Sequence, residues 1–233
     1  MFMNASPAPR SAGELETRGF EVVESVLETG ECRIVRKQID SMGLVATGER
    51  NVLAEDWCQS LAKRLRRHFG VARRLPPDAM AVQCTLFAKS PEHNWLVALH
   101  QDLAVPVRER VESSQSRGWS EKDGMLFVQP RLAVLEQLVV VRLHLDDCTA
   151  ENGAMRVVPG SHRFGSLASP QALDLRSSRS ELLCAVRAGG VLLMRPLLLH
   201  ASSKSTTEAP RRVLHFVFGP PQLPDGLSWH LAV

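Results

Sequence analysis

The sequence predicts a mainly β fold flanked by α-helices, built as a β-sandwich or double-sheet barrel. Three observations carry this. Apolar residues recur at helical spacing only before Pro76-Pro77, and short β-type runs separated by turn residues fill the chain beyond it. No βαβ alternation, the mark of a parallel sheet, runs through either part.

Residues 1–13 lack a basic segment followed by an apolar run, so they read as a short mobile tail rather than a secretory signal, ahead of one domain over residues 14–233. Gly19 to Val26 (GFEVVESV) reads as a strand. From Glu28 to Met42, Cys32, Val35, Ile39 and Met42 fall on one helical face. A second helix is expected from Asn51 to Phe69, with Leu53, Trp57, Leu61, Leu65 and Phe69 inward and Lys63, Arg64, Arg66 and Arg67 mostly off that face. Strands are then expected over Met80 to Phe87, Trp95 to His100, Ala133 to Asp146, Met155 to Val158, Glu181 to Val186, Val191 to Leu199 and Arg211 to Phe218. The polar segment Arg108 to Gly124 reads as a long loop, of the kind that forms lids or binding loops. Trp119 within it needs a surface to cover, either a ligand or the protein's own core.

The chain has 28 Lys+Arg against 25 Asp+Glu, a net charge of +3, which disfavours an electrostatically driven nucleic-acid or membrane-surface role. Aromatics are 5% of the chain and Tyr is absent, so a base-stacking platform is disfavoured as well. The five cysteines are scattered and odd in number, with no C-x-x-C pair; a reducing cytoplasm fits them best. No stretch supplies the roughly 20 uninterrupted apolar residues of a membrane span.

The chemistry lies in the histidines. In WLVALHQD, His100 and Asp102 are two apart, so on an extended strand both project to one face and can converge on one ion. His200, at the end of VLLMRPLLLH, is available as a third ligand from another strand. Two His and one carboxylate on one side of an ion leave the other positions open, the facial triad of non-haem Fe(II) oxygenases. In VVVRLHLDD, Arg142, His144 and Asp146 share one face, which meets either water or a cavity. Asn152-Gly153 is turn chemistry, and Pro159-Gly160-Ser161-His162 reads as a structural loop.

Four blocks, GFEVVESV, LFAKSPEHNWLVALHQD, RLHLDDCTAENGAMRVVPGSHR and AGGVLLMRPLLLHASSKSTTEAPRR, occur in the order found in one family. On these blocks the chain resembles the phytanoyl-CoA dioxygenase family of Fe(II)/2-oxoglutarate-dependent oxygenases. The resemblance implies a double-stranded β-helix, a cupin-like jelly roll with helices packed on one sheet. It also implies Fe(II) and 2-oxoglutarate as cofactors, O2 as co-substrate, and a small-molecule substrate.

His100, Asp102 and His200 match the family's catalytic iron ligands. Arg211, eleven residues after His200, matches the arginine that holds the distal carboxylate of 2-oxoglutarate, and Ser202 adds a hydroxyl. Arg212 is the competing assignment, because strand parity leaves both faces open. Gln83 and His144 are further candidates on the cofactor side. Lys89, Arg108 and Trp119 are candidates for the substrate, and Arg108, Arg110 and Arg117 suit an anionic metabolite. Asp102 stands where halogenating relatives have a small residue, which favours hydroxylation. A non-catalytic jelly-roll binding protein and a 2-oxoglutarate-independent cupin enzyme are the competing functions.

Overall fold

A computed structural model describes residues 13–43, 48–90 and 93–233; most of the expected N-terminal tail therefore lies outside the described residues. A short helix α1 (Glu14–Arg18) leads into β1 (Phe20–Val23), and helix α2 (Thr29–Ser41) buries Cys32, Val35 and Ile39 on one face. The Glu31 carboxylate accepts the Glu28 N–H at 2.8 Å and closes the first turn of α2. Strand β2 (Gly48–Glu49) and a 3-10 turn precede α3 (Asp56–Arg67), which buries Cys58, Leu61 and Leu65 and ends in basic residues that suit its negative C-terminal pole. A one-turn helix α4 (Phe69–Ala72) follows.

The β part begins with β3 (Met80–Lys89), β4 (Val97–His100), β5 (Val105–Val107), β6 (Arg117–Lys122) and β7 (Met125–Gln129). After α5 (Leu132–Leu135) come β8 (Val139–His144), β9 (Met155–Val157), α6 (Ser169–Ser177) and β10 (Leu182–Cys184). The remaining strands are β11 (Val191–Met194), β12 (His200–Ser202) and β13 (Arg211–Gly219).

All pairings between these strands are antiparallel. The large sheet has the order β1-β11-β8-β13-β3-β2 and the second sheet β10-β9-β12-β4; β5-β7-β6 forms a third, smaller one. One core fills the space between the helices and the outer face of the large sheet, where Cys32, Ile39, Leu61 and Leu65 meet Val141, Leu143, Leu214 and Phe216. A second core fills the space between the sheets, where Val140, Leu192, Met194 and Val217 meet Met155, Val157 and Cys184. Both faces of β8 and β13 are therefore largely buried, which explains their long hydrophobic runs. The double-stranded β-helix implied by the resemblance is the architecture present. No helix among the described residues is long and apolar enough to cross a membrane.

Several expected elements differ in extent. Residues 132–135 form a helical turn rather than the start of a strand; Val134, Leu135 and Leu138 are buried at helical spacing that an apolar run conceals. The run 191–199 is split, because Pro196 has no N–H to donate to a ladder and residues 195–198 make a turn. Phe69, expected on the buried face, is exposed beneath the Arg73 guanidinium. The segment 108–124 is only partly loop: its second half is β6, a polar strand paired on one side with β7 through the Asp123-Gly124 turn. Both turn residues have positive φ, 52° and 71°, the conformation of a tight two-residue hairpin.

Candidate active site

β4 and β12 lie side by side with His100 and His200 as register partners. His100 Nδ1 is 2.8 Å from the Ala98 carbonyl and His200 Nδ1 is 2.9 Å from the Leu198 carbonyl. Each Nδ1 therefore carries the proton, and each Nε2 presents a lone pair. Both Nε2 atoms face Asp102: His100 Nε2 is 3.6 Å from Oδ1 and His200 Nε2 is 3.8 Å from Oδ2. Ligand atoms of these three residues all lie within 4.8 Å of one another. Asp102 Oδ2 is buried without a hydrogen-bond partner, an arrangement that costs free energy unless a cation completes it. The donor set and this orphaned oxygen fit a divalent metal with open positions.

The backbone around the triad is pinned from several sides. Gln101, between the two ligands, is buried; its Nε2 donates to the carbonyls of Gly165 and Leu197, and its Oε1 accepts from the Leu167 N–H. The Asp102 N–H donates to the Pro196 carbonyl at 2.9 Å. Ser161, in the Pro-Gly-Ser-His block, accepts the Leu199 N–H at 2.8 Å and so secures the approach to His200. His162 Nε2 contacts the Glu16 carbonyl at 3.2 Å, in keeping with its expected structural part.

Electrostatics suit a metal. Burial pushes His200 down to about 4 and the neighbouring His215 down to about 3, so both imidazoles are neutral near pH 7. Burial opposes ionisation of Asp102, but the surrounding His200, His100 and His215 outweigh it and hold the carboxyl well below the usual range. For His100, burial lowers the value and contact with Asp102 raises it by more.

A cavity of about 680 Å³ opens on the triad, with Gln83, Ser202, Arg211, Arg142 and His215 in its wall. That size suits a small-molecule ligand. Alternation on β13 points Arg211, Val213, His215 and Val217 inward, with Leu214 and Phe216 in the outer core. Arg211 Nη1 donates to the Gly153 carbonyl at 2.8 Å, while its Nε has no partner. Gly153 has φ +81°, and a Cβ there would stand 2.6 Å from the Ser203 carbonyl oxygen, so the Asn152-Gly153 turn admits only glycine without strain. Asn152 shapes that turn, accepting the Thr149 N–H and donating to the Asp147 carbonyl. Arg212 points the other way, onto Asp146, at 2.9 and 3.0 Å.

Lys89, expected in a loop, is instead the last residue of β3 and the register partner of Arg211. It does not line the cavity. Its ammonium donates to Ser202 Oγ at 3.3 Å and to the Ser203 carbonyl, and burial, with Arg211 beside it, pushes it down to about 8. Gln83 Nε2 donates to Thr85 Oγ1 at 3.1 Å. His144 is buried opposite Val213 with both ring nitrogens unpartnered and is not in the cavity wall. Arg108 and Trp119 are not in the wall either: the Arg108 N–H is tied to the Ser228 carbonyl, and Trp119 packs on the second core beneath Arg110. The same hairpin does reach the cavity, through Lys122 and Gln129. Sequence reading assigned no role to these two or to Arg142. Arg142 carried the clearest available signal, an arginine inside the apolar run VVVRLHL.

The family model described as phytanoyl-CoA dioxygenase (PhyH) matches residues 15–213. The chain belongs to the PhyH family, and it is an enzyme of the iron- and 2-oxoglutarate-dependent dioxygenase type. It is similar to the iron/alpha-ketoglutarate-dependent dioxygenase ausU of Aspergillus calidoustus, with 26% identity over 211 residues, covering 86% of this chain and 67% of that one. Among solved structures, EctD from S. alaskensis with 2-oxoglutarate and 5-hydroxyectoine shares its fold at TM-score 0.67 and 19% identity, over 89% of this chain and 74% of that one. The alpha-ketoglutarate-dependent carbocyclase SnoK from nogalamycin biosynthesis does so at TM-score 0.63 and 17% identity, over 91% and 86%.

Proposed function

We propose that this enzyme hydroxylates an unactivated C–H bond of a small metabolite or of an acyl or biosynthetic intermediate. In that reaction O2 and 2-oxoglutarate are consumed and succinate and CO2 are released. One observation carries the reading: two imidazoles with Nδ1 held by backbone carbonyls turn Nε2 toward a carboxylate whose buried Oδ2 accepts no hydrogen bond. His100, Asp102 and His200 would hold Fe(II), and the cavity beside them would take cofactor and O2.

Bound iron supplies the oxidising power, drawn from O2 and the decarboxylation of 2-oxoglutarate. The chain supplies placement. Arg211 grips the distal carboxylate of 2-oxoglutarate with charge-assisted hydrogen bonds, and Ser202 adds its hydroxyl. Lys89 stands with these two through its contact with Ser202, on the cofactor side of the site rather than the substrate side. Gln83 and Thr85 present a polar edge inside the same cavity. Arg108 and Trp119 take no part in this reading.

Asp102 supports oxygen transfer over halogenation, since its carboxylate fills the place a halide would need. Ring closure on the same ligands is the second reading, favoured by the shared fold of a carbocyclase. A metabolite screen for 2-oxoglutarate-dependent succinate release tests the class, and product mass separates the outcomes: gain of one oxygen for hydroxylation, loss of two hydrogens for ring closure.

A further inference from the structure

Among the described residues that line the cavity, Asp102 is the one carboxylate, against Arg50, Lys122, Arg142 and Arg211. Arg50 is paired with Asp123 at 2.7 Å, and Lys122 is exposed at the hairpin. Arg142 is different: it is 6% exposed and has no carboxylate partner among the described residues. Its Nη1 is 2.7 Å from His215 Nδ1, its Nε is buried with no hydrogen bond, and its guanidinium lies 5.5 Å from the Phe87 ring centroid.

The carboxylate charge that reaches Arg142 is that of Asp102, relayed by His215, whose Nε2 is 3.8 Å from Asp102 Oδ2. Once a metal takes up that charge, the buried guanidinium is costly unless a ligand supplies a counter-ion. The reading above gives the distal carboxylate of 2-oxoglutarate to Arg211 and makes no use of Arg142. Arg142 is at a different station on the sheet. It is the register partner of His215, four residues along β13 from Arg211, roughly 13 Å of strand. With Nη1 engaged by His215 and Nε buried without a hydrogen bond, the guanidinium keeps unspent N–H donors in the cavity wall, donors of the kind that pair with a carboxylate.

We propose that Arg142 is the anchor for a carboxylate on the substrate, so that the enzyme acts on an acid rather than on a neutral compound. The inference rests on the cofactor reading and deepens it by naming the substrate's chemical class. It also moves the anion site from the loop arginines expected from the sequence to the cavity wall. His215 is a positioning residue: its Nδ1 holds Nη1 and so sets the orientation of the guanidinium.

The test uses the full chain loaded with Ni(II) and 2-oxoglutarate, and a panel of carboxylic acids of four to ten carbons, each beside its primary amide. Dissociation constants are read by calorimetry. At least one acid binds about tenfold or more tighter than its amide, the factor carried by a charge-assisted hydrogen bond. In Arg142→Gln that preference falls below about threefold, whereas Arg142→Lys retains part of it. The dissociation constant of 2-oxoglutarate moves far less in Arg142→Gln than in Arg211→Gln.

Three results overturn the proposal: no acid preferred by the wild type, a preference that survives Arg142→Gln, or 2-oxoglutarate affinity lost as severely as in Arg211→Gln, which would make Arg142 a cofactor residue. A second measurement needs no variant. Formate displaces the bound acid from wild-type protein while 2-oxoglutarate stays bound, and failure to compete counts against the site. If wild type does not bind 2-oxoglutarate at all, the cofactor reading fails, and the acid-to-amide ratio on metal-free protein decides the anion site alone.

Discussion

His100 and His200 stand opposite each other across β4 and β12, ring centroids 4.1 Å apart, each with Nδ1 on the carbonyl two residues before it. Both rings are thus oriented by backbone alone with Nε2 toward Asp102, and a metal bound there would add stability by mass action. Free Ni(II) or Mn(II) at a hundredfold excess over its dissociation constant contributes about 2.7 kcal/mol, a rise of about 5–10 °C in melting temperature for a chain of this size. EDTA reverses the rise and His200→Gln removes it. A wild-type melting temperature indifferent to metal would mean that the triad is not a site.

Arg211 and Arg212 are adjacent in sequence and opposite in surroundings. Arg211→Ala removes paired charge-assisted hydrogen bonds and raises the 2-oxoglutarate dissociation constant by roughly 10- to 100-fold with little loss of secondary structure. Arg212→Ala breaks the contacts to Asp146 and lowers stability by about 1–3 kcal/mol, while the cofactor still binds. Denaturant midpoints and cofactor titrations on both variants check the pair, and the reverse pattern would exchange the two roles.

The buried imidazoles give a signed pH dependence. His200 and His215 sit at about 4 and about 3 in the folded chain. Unfolding returns both to near 6.5, so below that pH the unfolded chain takes up protons that the folded chain refuses. The stability of metal-free protein therefore falls as pH drops from about 6.5 toward about 4, by on the order of a few kcal/mol, and these two groups have no effect above that window. Urea midpoints measured across the window should show a shallower slope in His215→Gln. An unchanged slope contradicts the buried neutral state of His215.

Gly153 tests the support of the cofactor end. An alanine there must hold φ +81° and push against the Ser203 carbonyl and the Lys89 ammonium. Gly153→Ala should cost about 1–3 kcal/mol in stability and weaken 2-oxoglutarate binding, since the Gly153 carbonyl holds Arg211. Equal cofactor affinity in wild type and variant would separate the turn from the site.

Most of this site is legible in the sequence because strand alternation is a strong local rule. It puts His100 with Asp102 and Arg142 with His144 on shared faces, and Asp102 still turns to His100 although β4 ends at His100. What alternation leaves open is which face is inward when both are apolar. Arg211 and Arg212 are told apart only by the helices that cover one side of β13. His144 shows the converse: its face is inward and it is buried, yet it is not in the cavity wall. The hairpin after β5 escapes a hydrophobic reading because β6 is a polar strand paired on one side. Its signal is conformational instead, the Asp123-Gly124 pair, which suits two successive positive φ values. Arg142 is hidden for a different reason, since a polar residue in an apolar strand signals burial but not what compensates it.

His100, Asp102 and His200 are proposed to bind iron together with 2-oxoglutarate held by Arg211. Anaerobic addition of Fe(II) and 2-oxoglutarate to the wild-type protein tests it most directly. A weak visible charge-transfer band should grow to saturation, be absent in Asp102→Ala at the same concentrations, and demand far more 2-oxoglutarate in Arg211→Ala. A folded wild-type protein that develops no band, or a band that persists unchanged in Asp102→Ala, contradicts the account.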